Sequence, residues 1–473
     1  MKILINLGVQ IMETRTEHDT LGTIEVDRSK FWGAQTQRSL ENFPIGTEKM
    51  PEQLIRAFII LKRSAAIANY QLKNLTRLKK EAIVYACDYV LKHGLIEHFP
   101  LVVWQTGSGT QTNMNVNEVL AYIGNQFLTD NNHAERLHPN DDLNHSQSSN
   151  DTFPTAMHIA SVLAIETELL PALAEINGTL TEQMKKYHDL IKIGRTHLQD
   201  ATPITFGQEI SGWQHMIEKI EQMLTEDLNY LRELAIGGTA VGTGLNAHSQ
   251  FSELVVKEIS ALTKTEFDSA ENKFHALTSH DQLVRTHGTL KALAADLMKI
   301  ANDVRWLASG PRAGIGEIEL PTNEPGSSIM PGKVNPTQAE ALTMVTVQVM
   351  GNDTTIGIAA SQGNFELNVY KPVIIYNFLQ SVQLLADGIR SFNQRCLIGM
   401  KPNADVMKRD LNASLMLVTA LSPKLGYDRA SQIAKKAYQD NQTLKEACLE
   451  LKFLTEEAFD QLIDPAKMIQ PSD

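Results

Sequence analysis

Cysteine is scarce: only Cys87, Cys396 and Cys448 occur in 473 residues. They lie far apart and form no C-x-x-C pair, which excludes a disulfide framework and fits a reducing compartment. An iron–sulfur cluster on these three is set aside, because such clusters draw on closely spaced ligands. Ordinary buried thiols are the better reading. No run nears the ~20 apolar residues that a bilayer-crossing helix needs, so no membrane partner is expected. A basic excess is missing too. Lys and Arg number 43 against 55 Asp and Glu, a formal charge of −12, which argues against nucleic acid as a partner. Residues 1–11 begin like a signal peptide, but Asn6, Gly8 and Gln10 interrupt the apolar run and no small-residue cleavage site follows. The odd positions of that stretch are all apolar, a strand-like alternation, and Met12 is an alternative start. A cytoplasmic protein is expected.

What is present is the composition of a folded protein, 42% hydrophobic and 21% charged, long enough for about three domain-sized units. Apolar residues step by three or four along several stretches. One runs through Val162, Ile165, Leu169, Leu173, Ile176, Leu180 and Met184. Others run through Ile210, Trp213, Ile217, Ile220, Leu224, Leu228 and Leu231, through Leu290, Leu293, Leu297, Ile300, Val304 and Leu307, and through Ile374, Phe378, Val382, Leu385, Ile389, Phe392 and Cys396. Each is a narrow stripe on a long helix, and long helices of this kind pack as a bundle. Pro171 should kink the first. Residues 337–358 carry apolar side chains on more than one face, which predicts a helix buried all round, between subunits of an oligomer. Residues 51–93 are helical with Gly94 as the stop. Near the C-terminus, residues 423–427 read as a turn, and 430–438 and 443–449 as short helices. The fold class is mainly α.

The chemistry-bearing residues lie in the polar breaks between helices. The densest is Gly326-Ser327-Ser328-Ile329-Met330-Pro331-Gly332-Lys333-Val334-Asn335-Pro336. Two glycines bracket a segment open to unusual conformations. Ser327 and Ser328 bring hydroxyls, and Lys333 a compact positive charge. Asn335 reads as a helix N-cap, Pro336 as the first helical residue and Gln338 as a capping-box partner. A loop feeding a helix N-terminus suits an anion, so the expected ligand is a carboxylate on which proton chemistry is done. Thr106-Gly107-Ser108-Gly109-Thr110-Gln111-Thr112-Asn113-Met114-Asn115 repeats the device, although taken alone it is better read as a plain N-cap with a polar loop. Ser146-Gln147-Ser148-Ser149-Asn150-Asp151 is a third such cluster. Gly194-Arg195-Thr196-His197-Leu198-Gln199-Asp200-Ala201-Thr202-Pro203 reads as a polar loop between bundle helices. His197 there is a candidate acid or base, a structural role being the default for any lone histidine. Gly237-Gly238-Thr239-Ala240-Val241-Gly242-Thr243-Gly244 lacks the Gly-Lys-Ser/Thr ending of a phosphate loop and reads as a tight turn with close packing. His133, His138 and His145 near Asp141 and Asp142 raise a metal site. Their spacing does not place them on one helix face and Pro139-Asn140 implies a turn, so no metal is expected. Residues 21–43 are polar and turn-rich, with Trp32-Gly33-Ala34-Gln35-Thr36-Gln37-Arg38-Ser39 dense in donors.

Five segments, in this order, resemble the fumarase/aspartase superfamily: Gly107-Ser108-Gly109-Thr110-Gln111, Ser148-Ser149-Asn150-Asp151, Gly194-Arg195-Thr196-His197-Leu198-Gln199-Asp200, Gly242-Thr243-Gly244-Leu245-Asn246 and the 326–336 stretch. The resemblance spans nearly the whole chain from Leu21 onward. Pro336-Thr337-Gln338-Ala339-Glu340, His138-Pro139-Asn140-Asp141 and Asn272-Lys273-Phe274-His275-Ala276-Leu277 are more similar to class II fumarases than to aspartases. The resemblance implies a three-domain fold with a long central helix bundle, divided as 1–147, 148–402 and 403–473. It implies a homotetramer whose active sites each draw on three subunits, a small dicarboxylate substrate, and no cofactor or metal. The implied reaction is the reversible addition of water to fumarate giving (S)-malate. Aspartate ammonia-lyase and a non-catalytic scaffold are the rival readings. By the same resemblance Ser327 is the base, His197 the acid/base partner oriented by Glu340, and Lys333 with Asn335 the fixed charge and donor. Ser108, Gly109, Thr110, Ser148, Ser149, Asn150, Thr196, Ser328, Lys333, Val334 and Asn335 hold the substrate. His138, Pro139, Asn140 and Asp141 mark a second, peripheral dicarboxylate site.

Overall fold

The computed structural model describes residues 13–471, so the alternation at 1–11 and the choice between Met1 and Met12 lie outside the described residues. In chain order the elements are β1 (Thr14–Asp19), β2 (Gly22–Asp27), α1 (Ala34–Asn42), α2 (Glu52–Gln71), α3 (Arg77–His93), α4 (Thr110–Asp130), α5 (Ser149–Ala164), α6 (Leu170–Lys186), β3 (Ile191–Thr196), β4 (Gln199–Thr205), α7 (Phe206–Leu231), α8 (Phe251–Thr263), α9 (Lys273–Thr278), α10 (Asp281–Leu307), α11 (Thr337–Ala360) and α12 (Lys371–Phe392). Short helices complete the chain, among them Ala404–Ala413, Tyr427–Gln439 and Leu444–Glu450. The sheets among the described residues are all two-stranded, so the protein is mainly α as expected. The chain forms two compact units. The first comprises the described residues up to Leu170, Gln222–Lys291 and Gln348–Leu384; the second comprises Pro171–Glu221, Ala292–Val347 and the described residues from Leu385 onward.

The long helices form where the apolar stripes run. In α7, Ile210, Trp213, Ile217, Leu224 and Leu231 are fully buried, as are Leu290, Leu293, Leu297, Ile300 and Val304 in α10. Each such side chain is worth roughly 1.5–3 kcal/mol relative to exposure. The disturbance expected at Pro171 takes the form of a π turn over Ile165–Leu169, just before α6. A π turn adds a residue per turn and here keeps Ile165 and Leu169 buried. Gly94 stops α3 with φ +77°.

Three expectations need correction. Residues 194–203 are not a loop: Ile191–Thr196 and Gln199–Thr205 pair as an antiparallel hairpin. The polar stretch at 21–43 likewise contains a hairpin turn between β1 and β2, paired Asp19 to Gly22, and then α1. Residues 423–427 contain a short helix, Ser422–Leu425. The burial expected for α11 lies between subunits, and one chain alone covers only part of the helix. Leu342, Val349 and Ile356 are buried, but Met344 is 67% exposed, Val347 61% and Ile358 61%.

In the second unit a buried charge cluster fixes the β3–β4 hairpin. Glu317 has no exposed side-chain surface and accepts both guanidinium nitrogens of Arg195, at 2.9 and 3.0 Å. Lys192, 1% exposed, lies 2.9 Å from Glu317 and 2.9 Å from Glu209. Removing one member of a buried ion set leaves the others uncompensated. Glu317→Leu is therefore expected to lower stability by about 3 kcal/mol, read as a drop in the urea midpoint; an unchanged midpoint would remove the cluster from the account of hairpin placement.

Candidate active site

In the first unit two helix starts meet side by side. Gly109 precedes α4 in the left-handed region, φ +79°, and a Cβ there would lie 2.0 Å from the Phe153 ring. Only glycine lets the loop approach α5 so closely. The result is a chain of hydroxyls: Ser108 Oγ lies 2.9 Å from Thr110 Oγ1, which lies 2.8 Å from Ser149 Oγ. Gly107 comes equally near the chain at Val369, whose carbonyl oxygen would stand 1.4 Å from a Cβ. Ser148 is the N-cap of α5, and its capping box is closed by Asp151. Asn150 donates through Nδ2 to the Ala240 carbonyl at 2.8 Å.

Lys62 and Lys371 were missed by the sequence reading as members of this region, and Asp151 was named in its segment without a role. Asp151 is fully buried. One carboxylate oxygen accepts the Ser148 N–H at 2.9 Å; the other accepts Gly237 N–H at 3.0 Å and Thr239 N–H at 2.9 Å. Burial pushes its pKa up to about 6, against these hydrogen bonds and the nearby Lys62. The glycine-rich 237–244 segment is thus the tight, closely packed turn expected, anchored to α5. Lys371 is fully buried, and its ammonium lies 3.4 Å from the Asn150 carbonyl. That carbonyl is available because Pro154, four residues on, has no N–H to donate. Burial lowers Lys371 to about 7. The S-x-x-D spacing was a signal for Asp151; nothing in a sequence marks a buried lysine.

His138, Pro139, Asn140 and Asp141 line a cavity of about 1380 Å3 that also receives Arg15, Trp32 and Tyr122. His138 Nδ1 accepts the Asp141 N–H at 3.2 Å. Asn140 also lines a smaller cavity of about 400 Å3 with Thr110, Ser148 and Ser149, so the two predicted sites share a wall. Many donors of the Trp32–Ser39 stretch are already committed. Glu118, buried, accepts Gly33, Gln35 and Thr36 N–H groups and the Thr36 hydroxyl. Among the described residues no three His, Cys, Asp or Glu side chains converge as a metal site requires.

In the second unit the 326–335 loop is tied at its neck. Gly326 N–H donates to the Lys333 carbonyl at 2.9 Å, and Asn335 Nδ2 donates to the Gly326 carbonyl. The helix α11 starts at Thr337, so Asn335 stands one residue before its cap position, and Gln338 Oε1 accepts from the Ser391 hydroxyl. Within the loop Ser327 Oγ accepts two backbone N–H groups, from Met330 at 3.1 Å and Ile329 at 3.3 Å. Ser328, Lys333 and Val334 are exposed, and Glu340 is half-buried at the start of α11. Thr196 and His197 are exposed at the β3–β4 turn. His197 and Leu198 have φ of +55° and +59°, as both central residues of a two-residue mirror-image turn must. A non-glycine pair held there stores strain of the kind that clusters at functional positions. Among the described residues no hydrogen bond joins His197 to Glu340.

One arrangement imitates a hydrolase. His287 Nε2 lies 2.8 Å from Ser381 Oγ, and Nδ1 lies 3.0 Å from Asp353 Oδ1. Ser381 and His287 are fully buried, and Ser381 also bonds Asn377 and Asn352. No substrate reaches it; the trio clamps α10, α11 and α12.

Residues 22–351 match the lyase family and residues 417–470 the fumarase C C-terminal family. The class II fumarate hydratase of Oceanobacillus iheyensis is 65% identical over 460 residues, 97% of this chain and all of that protein. That of Bacillus subtilis is 63% identical over 460 residues, again 97% of this chain and all of the other. The crystal structure of a class II fumarase from Schistosoma mansoni superposes with a TM-score of 0.95 at 42% identity, covering 98% of this chain and all of that one.

A Cβ on Gly326 would stand 2.2 Å from the Lys333 carbonyl oxygen. Gly326→Ala should open the loop neck and lower turnover by at least about tenfold, because a misplacement near 1 Å at a reacting group has that scale of effect. The thermal midpoint should hardly move. Steady-state kinetics beside calorimetry checks this; unimpaired turnover would show that the neck does not place Ser327.

Proposed function

We propose a mechanism from one premise: this chain belongs to the class II fumarate hydratase family. Its activity is that of a hydro-lyase, the reversible addition of water to fumarate giving (S)-malate, and not the release of ammonia from aspartate. In the dehydration direction Ser327, as alkoxide, removes a proton from the malate carbon next to one carboxylate. The C–H electron pair spreads into that carboxylate. It then forms the double bond as the C–O bond on the neighbouring carbon breaks, and the departing hydroxyl leaves as water with a proton delivered from the His197 side. Glu340 orients His197. The carbanion carries added negative charge, so preorganised donors and cations there lower the barrier. Lys333, Asn335 and the start of α11 fill that role. Ser108, Gly109, Thr110, Ser148, Ser149, Asn150, Thr196, Ser328 and Val334 hold the carboxylates and the hydroxyl. His138, Pro139, Asn140 and Asp141 form a second dicarboxylate site.

The observation that carries this reading is the Ser327 oxygen held by the Ile329 and Met330 N–H groups. A serine is a weak base alone; two N–H donors on its oxygen stabilise the alkoxide that the reaction needs. Lys333 adds charge a few residues away on the same tied loop.

The protein works as a homotetramer whose active sites draw on segments of three subunits. Support comes from α11, whose exposed face (Ala341, Met344, Val347, Gly351, Thr355, Ile358) is uncharged along the whole helix. An uncharged face of that length, with Met344, Val347 and Ile358 exposed on it, suits a protein interface. A three-part division at 1–147, 148–402 and 403–473 is supported at its last step by a separate core, in which Leu421, Ile433, Ala447 and Cys448 are packed together. The cytoplasm is the compartment that suits three buried, unpaired cysteines.

Ser327→Ala should lower kcat by roughly 10²–10⁴, the usual scale of a lost acid–base group, in a protein of unchanged assembly state. Near-normal turnover would contradict the base role. His197→Asn, which preserves the positive-φ turn, should weaken catalysis in both directions and alter the pH–rate profile. Turnover is followed by the ultraviolet absorbance of fumarate, which malate should generate and aspartate should not. Val347→Glu places a charge on the α11 face and should shift the protein to smaller species in sedimentation, with activity lost in parallel; an intact, active tetramer would clear that face of any role in assembly.

A further inference from the structure

We propose that Lys62 is a positioning residue for the hydration reaction: its buried ammonium supplies the positive charge that an uncharged cavity wall beside Thr110 and Ser149 needs to hold a dicarboxylate. The proposal rests on the reading that this wall receives a substrate carboxylate. The cavity of about 400 Å3 is lined by Thr110, Asn113, Asn144, Gln147, Ser148 and Ser149, among others, and none of the described residues lining it is charged. Fumarate carries two negative charges. In the proposed mechanism Lys333 answers the carboxylate beside the carbanion; moving the other from water onto hydroxyl and amide groups alone leaves much of its desolvation cost unmet.

The missing charge stands one residue behind the wall. Lys62 rises from α2, is 1% exposed, and places Nζ 3.0 Å from Asn144 Oδ1 and 3.0 Å from Gln147 Oε1. Both partners line the cavity. Asn144 Oδ1 also accepts from Asn113 Nδ2 at 3.1 Å and Asn117 Nδ2 at 3.3 Å. The Asn144 amide is thereby fixed, with Nδ2 donating to the Gln147 carbonyl just before the Ser148 cap. The lysine thus does two things: it orders the residues leading into α5, and it sets a field across them.

A core lysine that served packing alone would be a poor choice, since burying an ammonium costs several kcal/mol and an apolar residue packs as well. Lys62 has no carboxylate bonded to it. Asp151 exerts the nearest pull, and its two oxygens are occupied by three backbone N–H groups. Burial lowers Lys62 to about 7, and Asp151 draws it back up. A carboxylate arriving in the cavity acts in the same sense as Asp151, so the charged lysine and the bound dianion favour one another.

The test uses the full-length enzyme. Lys62→Met removes charge and hydrogen bonds; Lys62→Gln removes the charge and keeps a donor for the wall amides. KM and kcat for fumarate are measured, with inhibition constants for succinate, a dicarboxylate, and butyrate, a monocarboxylate of the same length. Both variants should raise the fumarate KM and the succinate constant by about tenfold, the scale of one charge acting over several ångströms of protein. Butyrate inhibition should change far less, and kcat should fall less than KM rises. Equal weakening of succinate and butyrate, or a Lys62→Gln enzyme with the parent KM, overturns the proposal. So does failure of both variants to fold, which assigns Lys62 to the core alone. Ser149→Ala tests the underlying reading separately: an unchanged fumarate KM there removes the carboxylate from this wall, whatever Lys62 does.

Discussion

The carboxylate of Asp151 holds together the part of the site in the first unit. It closes the capping box of α5 through Ser148, and it accepts the Gly237 and Thr239 N–H groups of a segment far away in sequence. Neither the helix start nor the glycine turn can shift without breaking a bond to a buried ionisable group, and an orphaned buried N–H is costly. Asn150 reinforces the same junction through the Ala240 carbonyl. Pro154 then frees the Asn150 carbonyl for Lys371, and the Lys371 N–H in turn donates to the Gly107 carbonyl. Two helix starts and one turn are thereby referenced to one another, which is what holding a small anion demands: errors of a few tenths of an ångström are felt in every hydrogen bond.

The second unit meets a different need by a similar economy. Its loop commits backbone groups and the Asn335 amide to closing the neck, and the Ser327 oxygen to two N–H donors, while Lys333 stays exposed. The β3–β4 hairpin commits Arg195 and Lys192 to Glu317, while Thr196 and His197 remain exposed at its tip. In both cases rigid ties lie on or within two residues of the groups assigned to chemistry. A stiff support with a free end positions a proton-transfer group better than a mobile loop does.

The long helices were legible because six or seven apolar residues at helical spacing leave little ambiguity; the stripes of α7 and α10 are buried where expected. The β3–β4 hairpin was not. Ile191 and Ile193 alternate for too short a distance, and its turn is His197-Leu198, without the Asn-Gly or Asp-Gly that announces such a turn. The cap assigned to Asn335 lies one residue too early, since α11 starts at Thr337, and the tie of its Nδ2 to the Gly326 carbonyl, nine residues earlier, is one that only the folded loop brings about. The places of Lys62 and Lys371 were illegible for a related reason: lysine is almost always a surface residue, and its burial is decided by tertiary packing. The order of the polar segments was readable through resemblance, whereas the division of their work between backbone ties and free groups required coordinates.

That division bears on why the chain exposes what it does. His197, Ser328 and Lys333 are exposed on one chain, yet the proposed mechanism requires that water be kept from a carbanion and from an alkoxide base. A loop and a hairpin tip cannot achieve that alone. In the proposed homotetramer the uncharged face of α11 supplies the means, because covering it brings other copies of the chain against this one. On that proposal assembly and catalysis answer to one constraint, and a protein that lost its association would lose its chemistry with every catalytic side chain still in place.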